Sequence, residues 1–142
     1  MSELTYPFTA IVGQGKVKSA LILNAVDSRL GGVLISGAKG SGKSTLVRAL
    51  EGILPTTEYV EGCRFNCSPN DLPHLCPSCK ARLAKEGKLP TSNRRMSIVE
   101  LPVSATEDGL LGTIDAEAAL LRGEKSLQPG LLSKANQNIL YI

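Results

Sequence analysis

Two groups of residues in this sequence have the types and the spacing that chemistry requires. The first is the stretch "GAKGSGKS", which fits the pattern G-x-x-x-x-G-K-[ST] and begins at Gly37. The second is the set of four cysteines, which form two close pairs within one segment of the chain. The first pattern predicts a loop that binds phosphate groups, and the second predicts a metal site.

The predicted phosphate loop depends on backbone geometry. Glycines adopt conformations that are closed to residues with a Cβ, so successive N–H groups can turn inward and cradle phosphate oxygens. Lys43 is predicted to reach the β- and γ-phosphates of ATP, and the Ser44 hydroxyl to ligate Mg²⁺, so these two are the predicted catalytic residues. Thr45 is predicted to donate to the α-phosphate side. The predicted cofactor-binding loop consists of Gly37, Ala38, Lys39, Gly40, Ser41, Gly42, Lys43, Ser44 and Thr45.

The elements around this loop fit the motif. Residues 31–37 ("GGVLISG") are a short apolar run bounded by glycine, which predicts a strand buried on both faces. Residues 42–55 have apolar residues at helical spacing and end at Pro55. A loop between a strand and a helix is the context in which the motif binds phosphate, so a glycine-rich turn that merely caps a helix is the weaker interpretation.

The remaining periodic segments alternate between helix and strand. A helix is predicted over 15–30, a strand over 96–102 and a hairpin over 105–114 with Asp108-Gly109 as its turn. Further along, a short helix from Asp115 to Gly123, a helical turn near 129–137 and a final strand Ile139–Ile142 follow. This alternation predicts a layered α/β fold with a mostly parallel sheet.

The cysteines lie in a segment, residues 56–93, that has the composition of an insert. Cys63-x3-Cys67 and Cys76-x2-Cys79 can each wrap around one ion, so four thiolates suit one tetrahedral metal. Soft thiolates favour Zn²⁺ or an iron–sulfur cluster, and free thiols or redox pairs are the third interpretation. Disulfides are not expected in a cytoplasmic protein. His74 is predicted to be a solvated loop residue, because four cysteines already complete a shell.

Composition narrows the possible partners. The 142 residues have a net charge of +3 and few aromatic side chains, with no Trp, which argues against a stacking platform for nucleic acid. No apolar run is long enough for a membrane span, and no secretory signal is evident, so a cytoplasmic location is expected. The basic residues of 80–88 and 94–95 are predicted to form a solvated face, with DNA contact as the alternative.

Three stretches together carry a family resemblance: "YPFTAIVGQ", "GGVLISGAKGSGKSTLVRAL" and "TEDGLLGTID…PGLLSKAN". They resemble the AAA+ ATPase subunit of magnesium chelatase and its cobalt-chelatase relatives. The resemblance implies a P-loop NTPase fold of the AAA+ type, with three α/β/α layers. It also implies an ATP-hydrolysing subunit that forms rings, commonly hexamers, with a companion AAA+/integrin-type subunit. It further implies a large porphyrin-binding subunit and insertion of the metal into a tetrapyrrole such as protoporphyrin IX, a ligase reaction that forms nitrogen–metal bonds. Residues 107–115 correspond to the clade's inserted hairpin, and the adenine pocket to Ile11, Val12 and Gly13.

The resemblance also sets expectations about what the 142 residues contain. They correspond to the N-terminal portion of an AAA+ domain, and the acid that assists Mg²⁺ in such ATPases would directly follow Ile142. In the family's sheet, strand 1 lies between strands 5 and 4, whereas strands 2 and 3 are neighbours. Strand 1 is therefore expected to lack both partners here, and the isolated chain to be poorly stable and inactive. A nucleotide-binding fragment without hydrolysis, or a DNA-remodelling AAA+ protein with a zinc module, are the alternatives.

Overall fold

The structure is a computed structural model that describes residues 6–114 and 127–142. It divides into two compact units, Met1–Pro55 and Thr56–Ile142. Helices and strands are both present, which agrees with the predicted α/β class. Of the three strand pairs in the described residues, one is parallel and two are antiparallel, so these residues do not form the predicted mostly parallel sheet. Within the described ranges, no helix combines the length and the apolar character that a membrane crossing requires.

The first unit is built from two helices. Helix α1 spans Gly15–Val26 and α2 spans Lys43–Leu50. Short 3-10 turns lie at Phe8–Ala10, Ser28–Leu30 and Glu51–Ile53. Helix α2 buries four side chains of one face, and its hydrophobic contacts form the centre of the unit, where Leu46 is 0% exposed. Both predicted helices are confirmed. The buried residues of α2 are Leu46, Val47, Ala49 and Leu50.

The segment before the loop differs from its prediction. Residues 31–38 are not assigned to a strand, and the Leu34 side chain is 97% exposed. A strand needs a neighbour to satisfy its N–H and C=O groups, and none of the described residues pairs with this segment. The predicted strand buried on both faces is therefore wrong for this structure, although the expected lack of neighbours explains why.

The second unit begins with an antiparallel ladder. Strand β1 (Thr56–Val60) pairs with β2 (Thr91–Arg95) along its whole length. The chain between them forms a 3-10 turn at Leu72–His74 and helix α3, Pro77–Glu86. The cysteine-containing segment is thus not a bare loop, because it lies between two paired strands and contains a helix of its own.

The parallel strands lie further along the same unit. Strand β3 (Ile98–Glu100) pairs with the last strand, β6 (Ile139–Tyr141), with Ile98 opposite Ile139. The chain reaches β6 through a short helix, here numbered α5, Leu131–Ala135. The strands predicted near 96–102 and 139–142 and the helical turn between them are confirmed.

The predicted hairpin over 105–114 needs a correction. Glu107–Leu111 form helix α4, in which the Thr106 hydroxyl accepts a hydrogen bond from the Gly109 N–H at 3.2 Å. This cap, with acidic residues in the first turn, favours a helix start over the predicted Asp108-Gly109 turn. An antiparallel pair does follow, but between β4 (Gly112–Ile114) and β5 (Leu127–Pro129). The helix predicted from Asp115 to Gly123 lies outside the described residues.

Candidate functional site

The glycine-rich loop leads directly into helix α2. Gly40 and Gly42 have φ angles of 81° and 79°, in the left-handed region that favours glycine. Gly42 is the N-cap, and its carbonyl accepts the first helical hydrogen bond, from the Leu46 N–H at 2.9 Å. The N–H groups of the first helical turn therefore have no carbonyl of the helix to donate to, which gives the loop a positive end.

Lys43 turns back into the loop. Its Nζ donates to the carbonyl oxygens of Gly37 at 2.8 Å and Ala38 at 2.6 Å, and lies 3.3 Å from Ser41 Oγ. The Ser41 hydroxyl also donates to the Ala38 carbonyl at 2.9 Å, which closes the turn. The ammonium group is thus held within the loop rather than extended into solvent.

The structure brings a residue to the loop that sequence reasoning missed. Gln14 lies 27 residues earlier, yet its Nε2 donates to the Ser41 carbonyl at 2.6 Å. Gln14 is also the N-cap of α1 and has a left-handed backbone, with a φ angle of 53°. A non-glycine residue in that conformation is uncommon, but nothing in the sequence pattern predicts it.

The predicted adenine segment lies just before Gln14. The Ile11 carbonyl accepts a hydrogen bond from Lys18 Nζ, and the Lys18 ammonium is 5.7 Å from the centre of the Phe8 ring. Val12 is exposed, and Gly13 has a φ angle of 78°. Because Gln14 follows immediately, its contact with Ser41 ties this segment to the phosphate loop.

The other predicted loop residues differ in how exposed they are to solvent. Lys39 is exposed on the outer part of the loop, and Thr45 is exposed in the first turn of α2. Ser44 is half-buried at the start of the same helix. The nine predicted residues from Gly37 to Thr45 are therefore contiguous around the start of α2.

The four cysteines converge in the second unit. Their Sγ atoms all lie within 4.8 Å of one another, and those of Cys63 and Cys76 are 3.8 Å apart. Cys67 and Cys79 are buried with Val60 and other apolar side chains, so the sulfur atoms lie within a small core. The sequence predicts that the two cysteine pairs come together at one place, and the positions of the sulfur atoms confirm this.

Backbone N–H groups point at these sulfur atoms. The Phe65 N–H donates to Cys63 Sγ at 3.4 Å, and the Cys76 N–H donates to Cys67 Sγ at 3.2 Å. Burial raises the pKa of the Cys67 thiol to about 11. Burial acts on Cys63 in the same direction, but N–H donors from Cys67 and Phe65 outweigh it and lower the pKa of the Cys63 thiol to about 7. Donors of this kind suit thiolates that bind a metal.

His74 is not part of the thiol cluster. Its side chain is 82% exposed, and its Nδ1 lies 2.8 Å from Asp71 Oδ1. Among the described residues, the group that could hold an ion consists of the four cysteines alone. The prediction that His74 is a solvated loop residue is confirmed.

The glycine-rich loop leads into a helix and encloses its own lysine, in a chain that has both helices and strands. This arrangement is typical of phosphate-binding-loop proteins of the α/β class. Comparison with known proteins shows which family the chain resembles. The family model "Magnesium chelatase, subunit ChlI" matches residues 7–68. Over these residues the chain is similar to this family of magnesium-chelatase subunits.

The relatives match nearly the whole chain. It is 57% identical over 140 residues, 99% of its length, to the magnesium-chelatase subunit ChlI homolog of Methanocaldococcus jannaschii, of which it covers 38%. It is 48% identical over 137 residues, 96% of its length, to ChlI of Chlorella vulgaris, of which it covers 39%. The chain thus spans about two fifths of the length of these relatives.

A solved structure agrees with the sequence relatives. A chain from a cryo-EM-based structure of the complex between subunits BchI and BchD of magnesium chelatase superposes with a TM-score of 0.71 and 40% identity. The match covers 97% of this chain and 41% of the other. The fold of the described residues is therefore that of a magnesium-chelatase subunit.

Proposed function

We propose that residues 37–45 bind Mg·ATP and that the chain is part of the ATPase motor of a chelatase. The observation that carries this proposal is the position of Lys43, whose Nζ lies within 3.3 Å of three oxygen atoms of the loop. An ammonium held in that place is ready to contact phosphate oxygens. In this proposal Lys43 would hold the β- and γ-phosphates, and the Ser44 hydroxyl would ligate Mg²⁺.

The remaining residues would complete the nucleotide site. The N–H groups at the start of α2 supply donors and a partial positive charge for the phosphates. Ile11, Val12 and Gly13 would line the adenine, with Gln14 tying them to the loop through its 2.6 Å hydrogen bond to Ser41. Bound ATP would supply the phosphoryl group whose hydrolysis releases energy, and these residues bind and orient it.

The activity of the whole protein is part of the same proposal. We infer that residues 1–142 are the N-terminal portion of an AAA+ ATPase domain, with 56–93 as a cysteine-rich insert. In full length it would couple ATP hydrolysis to insertion of Mg²⁺, or Co²⁺ as the alternative, into a tetrapyrrole. The similarity to a chain from a BchI–BchD complex supports a companion subunit. A hexameric ring and a large porphyrin-binding subunit follow from the family resemblance.

The test of the nucleotide site uses two lysines of one loop. Titration calorimetry with Mg·ATP on the full-length protein is expected to show that Lys43→Met weakens binding by about ten- to a hundredfold, the usual effect of losing a charge-assisted hydrogen bond. Lys39→Met removes the same charge from an exposed position and is expected to change the affinity by less than about threefold. Equal losses in both variants would mean that general charge, not the Lys43 geometry, governs binding.

Two further measurements separate the competing functions. ATP turnover that rises when companion chelatase subunits are added supports the motor. Binding without turnover in the full-length protein supports a nucleotide-binding subunit that does not hydrolyse ATP. Salt-sensitive DNA binding that requires the basic residues at 80–88 would instead favour a DNA-remodelling ATPase.

We also propose that the four cysteines bind one metal ion. In a tetrahedral metal site, the distance between two ligand atoms is about 1.6 times the metal–ligand bond length. Zn–S bonds of about 2.3 Å therefore place the sulfur atoms about 3.8 Å apart. The Cys63–Cys76 separation is 3.8 Å, and every sulfur pair lies within 4.8 Å. In a four-iron cluster each thiolate binds a different iron, which requires wider spacing. The geometry therefore favours Zn²⁺ over an iron–sulfur cluster.

Metal analysis of anaerobically purified full-length protein tests this second proposal. About one zinc per chain is expected, and Cys67→Ser with Cys79→Ser is expected to lose it. Iron with acid-labile sulfide would support a cluster instead. Neither metal, together with four thiols that react freely or form disulfides, would overturn the proposal in favour of free or redox-active cysteines.

A further inference from the structure

We infer that a metal ion at the four cysteines stabilises a clamp, formed by two segments of the chain, that fixes the start of the last strand. The inference rests on the proposed metal site and adds a role for it within the fold. The clamp is defined here as the loop Cys63–Cys67 together with the turn Asn136–Asn138, which precedes β6. Hydrogen bonds join these two segments, which are about 70 residues apart in sequence.

Asn66 makes the first set of contacts. Its Nδ2 donates to the carbonyls of Ser133 at 3.0 Å and Lys134 at 3.2 Å, both in α5. The Asn66 backbone is left-handed, with a φ angle of 50°. These hydrogen bonds attach the loop to α5, while the two cysteines at its ends lie at the proposed metal site.

The Asn136 side chain forms hydrogen bonds in the opposite direction, from the turn before β6 to the cysteine loop. Its Nδ2 donates to the Phe65 carbonyl at 2.7 Å and lies 3.3 Å from the Asn66 carbonyl. Asn66 thus donates to the backbone of α5, and Asn136 donates to the backbone of the cysteine loop, so hydrogen bonds run in both directions between these parts of the chain. Such reciprocal bonding fixes the relative position of two segments more firmly than one bond can.

The first ladder supports the clamp. Arg94 of β2 donates to Asn66 Oδ1 at 2.5 Å, and its guanidinium lies 3.9 Å from the centre of the Tyr59 ring. Tyr59 is buried in β1, and its hydroxyl donates to the Gln137 carbonyl at 3.0 Å. The clamp is therefore connected to β1 and β2 as well as to α5.

The turn in the clamp also fixes the parallel strands. Asn138 Oδ1 accepts from the Ser97 N–H at 2.9 Å, just before β3, and Asn138 Nδ2 donates to the Lys134 carbonyl at 2.7 Å. The Ile139 N–H then donates to the Ser97 carbonyl at 3.1 Å, which begins the β3–β6 pairing. A displaced turn would thus disturb the register of both strands.

The proposed metal ion would bind both ends of the loop Cys63–Cys67, because each end is a cysteine ligand. Residues 64–66 lie between Cys63 and Cys67, and both ends of this loop bond to the Val60 backbone. The Cys63 N–H donates to the Val60 carbonyl at 3.1 Å, and the Val60 N–H donates to the Cys67 carbonyl at 2.9 Å. One ion bonded to both sulfurs would add a second constraint on the loop's span and so on the position of Asn66. Without the ion only these two backbone hydrogen bonds hold the ends, and the Asn66 contacts become weaker.

Hydrogen exchange measured by mass spectrometry on the full-length protein tests the clamp. Metal removal with a thiol-reactive reagent and a chelator is expected to speed exchange in residues 131–141 by about fivefold or more, in addition to that around the cysteines. Asn136→Ala is expected to speed exchange at 137–141 by a similar factor while zinc content stays unchanged. The matched control, Asn93→Ala, replaces an exposed asparagine of β2 and is expected to leave 131–141 unchanged.

The outcomes separate this inference from the metal site itself. If zinc is bound but its removal speeds exchange only near the cysteines, the metal site stands and the clamp is wrong. If Asn136→Ala leaves 137–141 unchanged, the clamp is also wrong. Absence of any metal from the purified protein would overturn both the metal site and the metal-dependent clamp.

Discussion

The hydrogen bond from Gln14 to the phosphate loop gives a prediction that can be worked out in detail. Gln14→Ala removes the 2.6 Å contact with the Ser41 carbonyl. One hydrogen bond contributes about 1 kcal/mol net, and a loop that has lost it must be ordered again when phosphates bind. The affinity for Mg·ATP is therefore expected to fall about fivefold.

Backbone strain at the same residue supplies an internal control. Gln14 has a φ angle of 53°, a conformation that costs a residue with a Cβ about 1 kcal/mol and glycine very little. Gln14→Gly loses the same hydrogen bond but relieves this strain. Its free energy of unfolding is thus expected to lie about 1 kcal/mol above that of Gln14→Ala, with the same nucleotide affinity.

Calorimetric titration with Mg·ATP and denaturant unfolding of the nucleotide-free protein measure the two quantities separately. The reasoning requires the alanine and glycine variants to agree in affinity and to differ in stability. Wild-type affinity in Gln14→Gly would refute it, because the contact with Ser41 would then have no part in preparing the loop.

Three other predictions concern stability. In denaturant titrations, Leu46→Ala is expected to lower the free energy of unfolding by about 2–5 kcal/mol, because Leu46 is fully buried. Leu34→Ala, at a 97% exposed position, is expected to change the free energy of unfolding by less than about 0.5 kcal/mol. Gly112→Ala would place a Cβ against the Gln128 carbonyl and is expected to lower Tm clearly. Gly62→Ala, at a positive φ with open space around it, measures the smaller cost of backbone strain alone. Chelation of the cysteine-bound metal is expected to lower Tm in a thermal scan and to restore it when zinc is returned, and an unchanged Tm would count against a structural ion.

Local patterns predicted much of the fold. Helical spacing identified α1 and α2, and an apolar run identified β6, because short-range periodicity determines such elements. The run at 31–37 was misassigned because a strand also requires partners, which no local pattern contains. The turn signal Asp108-Gly109 failed for a different reason, since Thr106 and two acids favour a helix start at the same place.

The candidate sites were predicted unevenly. The phosphate loop is contiguous in sequence, so its motif identified all of it. The two cysteine pairs were assigned to one site because four thiolates can bind the same metal ion. The structure places their sulfur atoms within 4.8 Å of one another. Gln14 and Asn136 lie in stretches that carry the family resemblance, but they act through side-chain contacts with distant backbone carbonyls that no motif specifies. Such contacts depend on tertiary structure, which is why only the structure reveals them.

The inward position of Lys43 has a consequence for ligand selection. Its ammonium already has two carbonyl acceptors, at 2.6 and 2.8 Å, so an arriving molecule must displace satisfied bonds rather than meet a bare charge. Phosphate oxygens can do so because an anion attracts an ammonium more strongly than a neutral carbonyl does. Adenosine, which has no phosphate, offers no such exchange. In the proposed nucleotide site, this competition between phosphate oxygens and the loop's own carbonyls is expected to disfavour uncharged nucleosides.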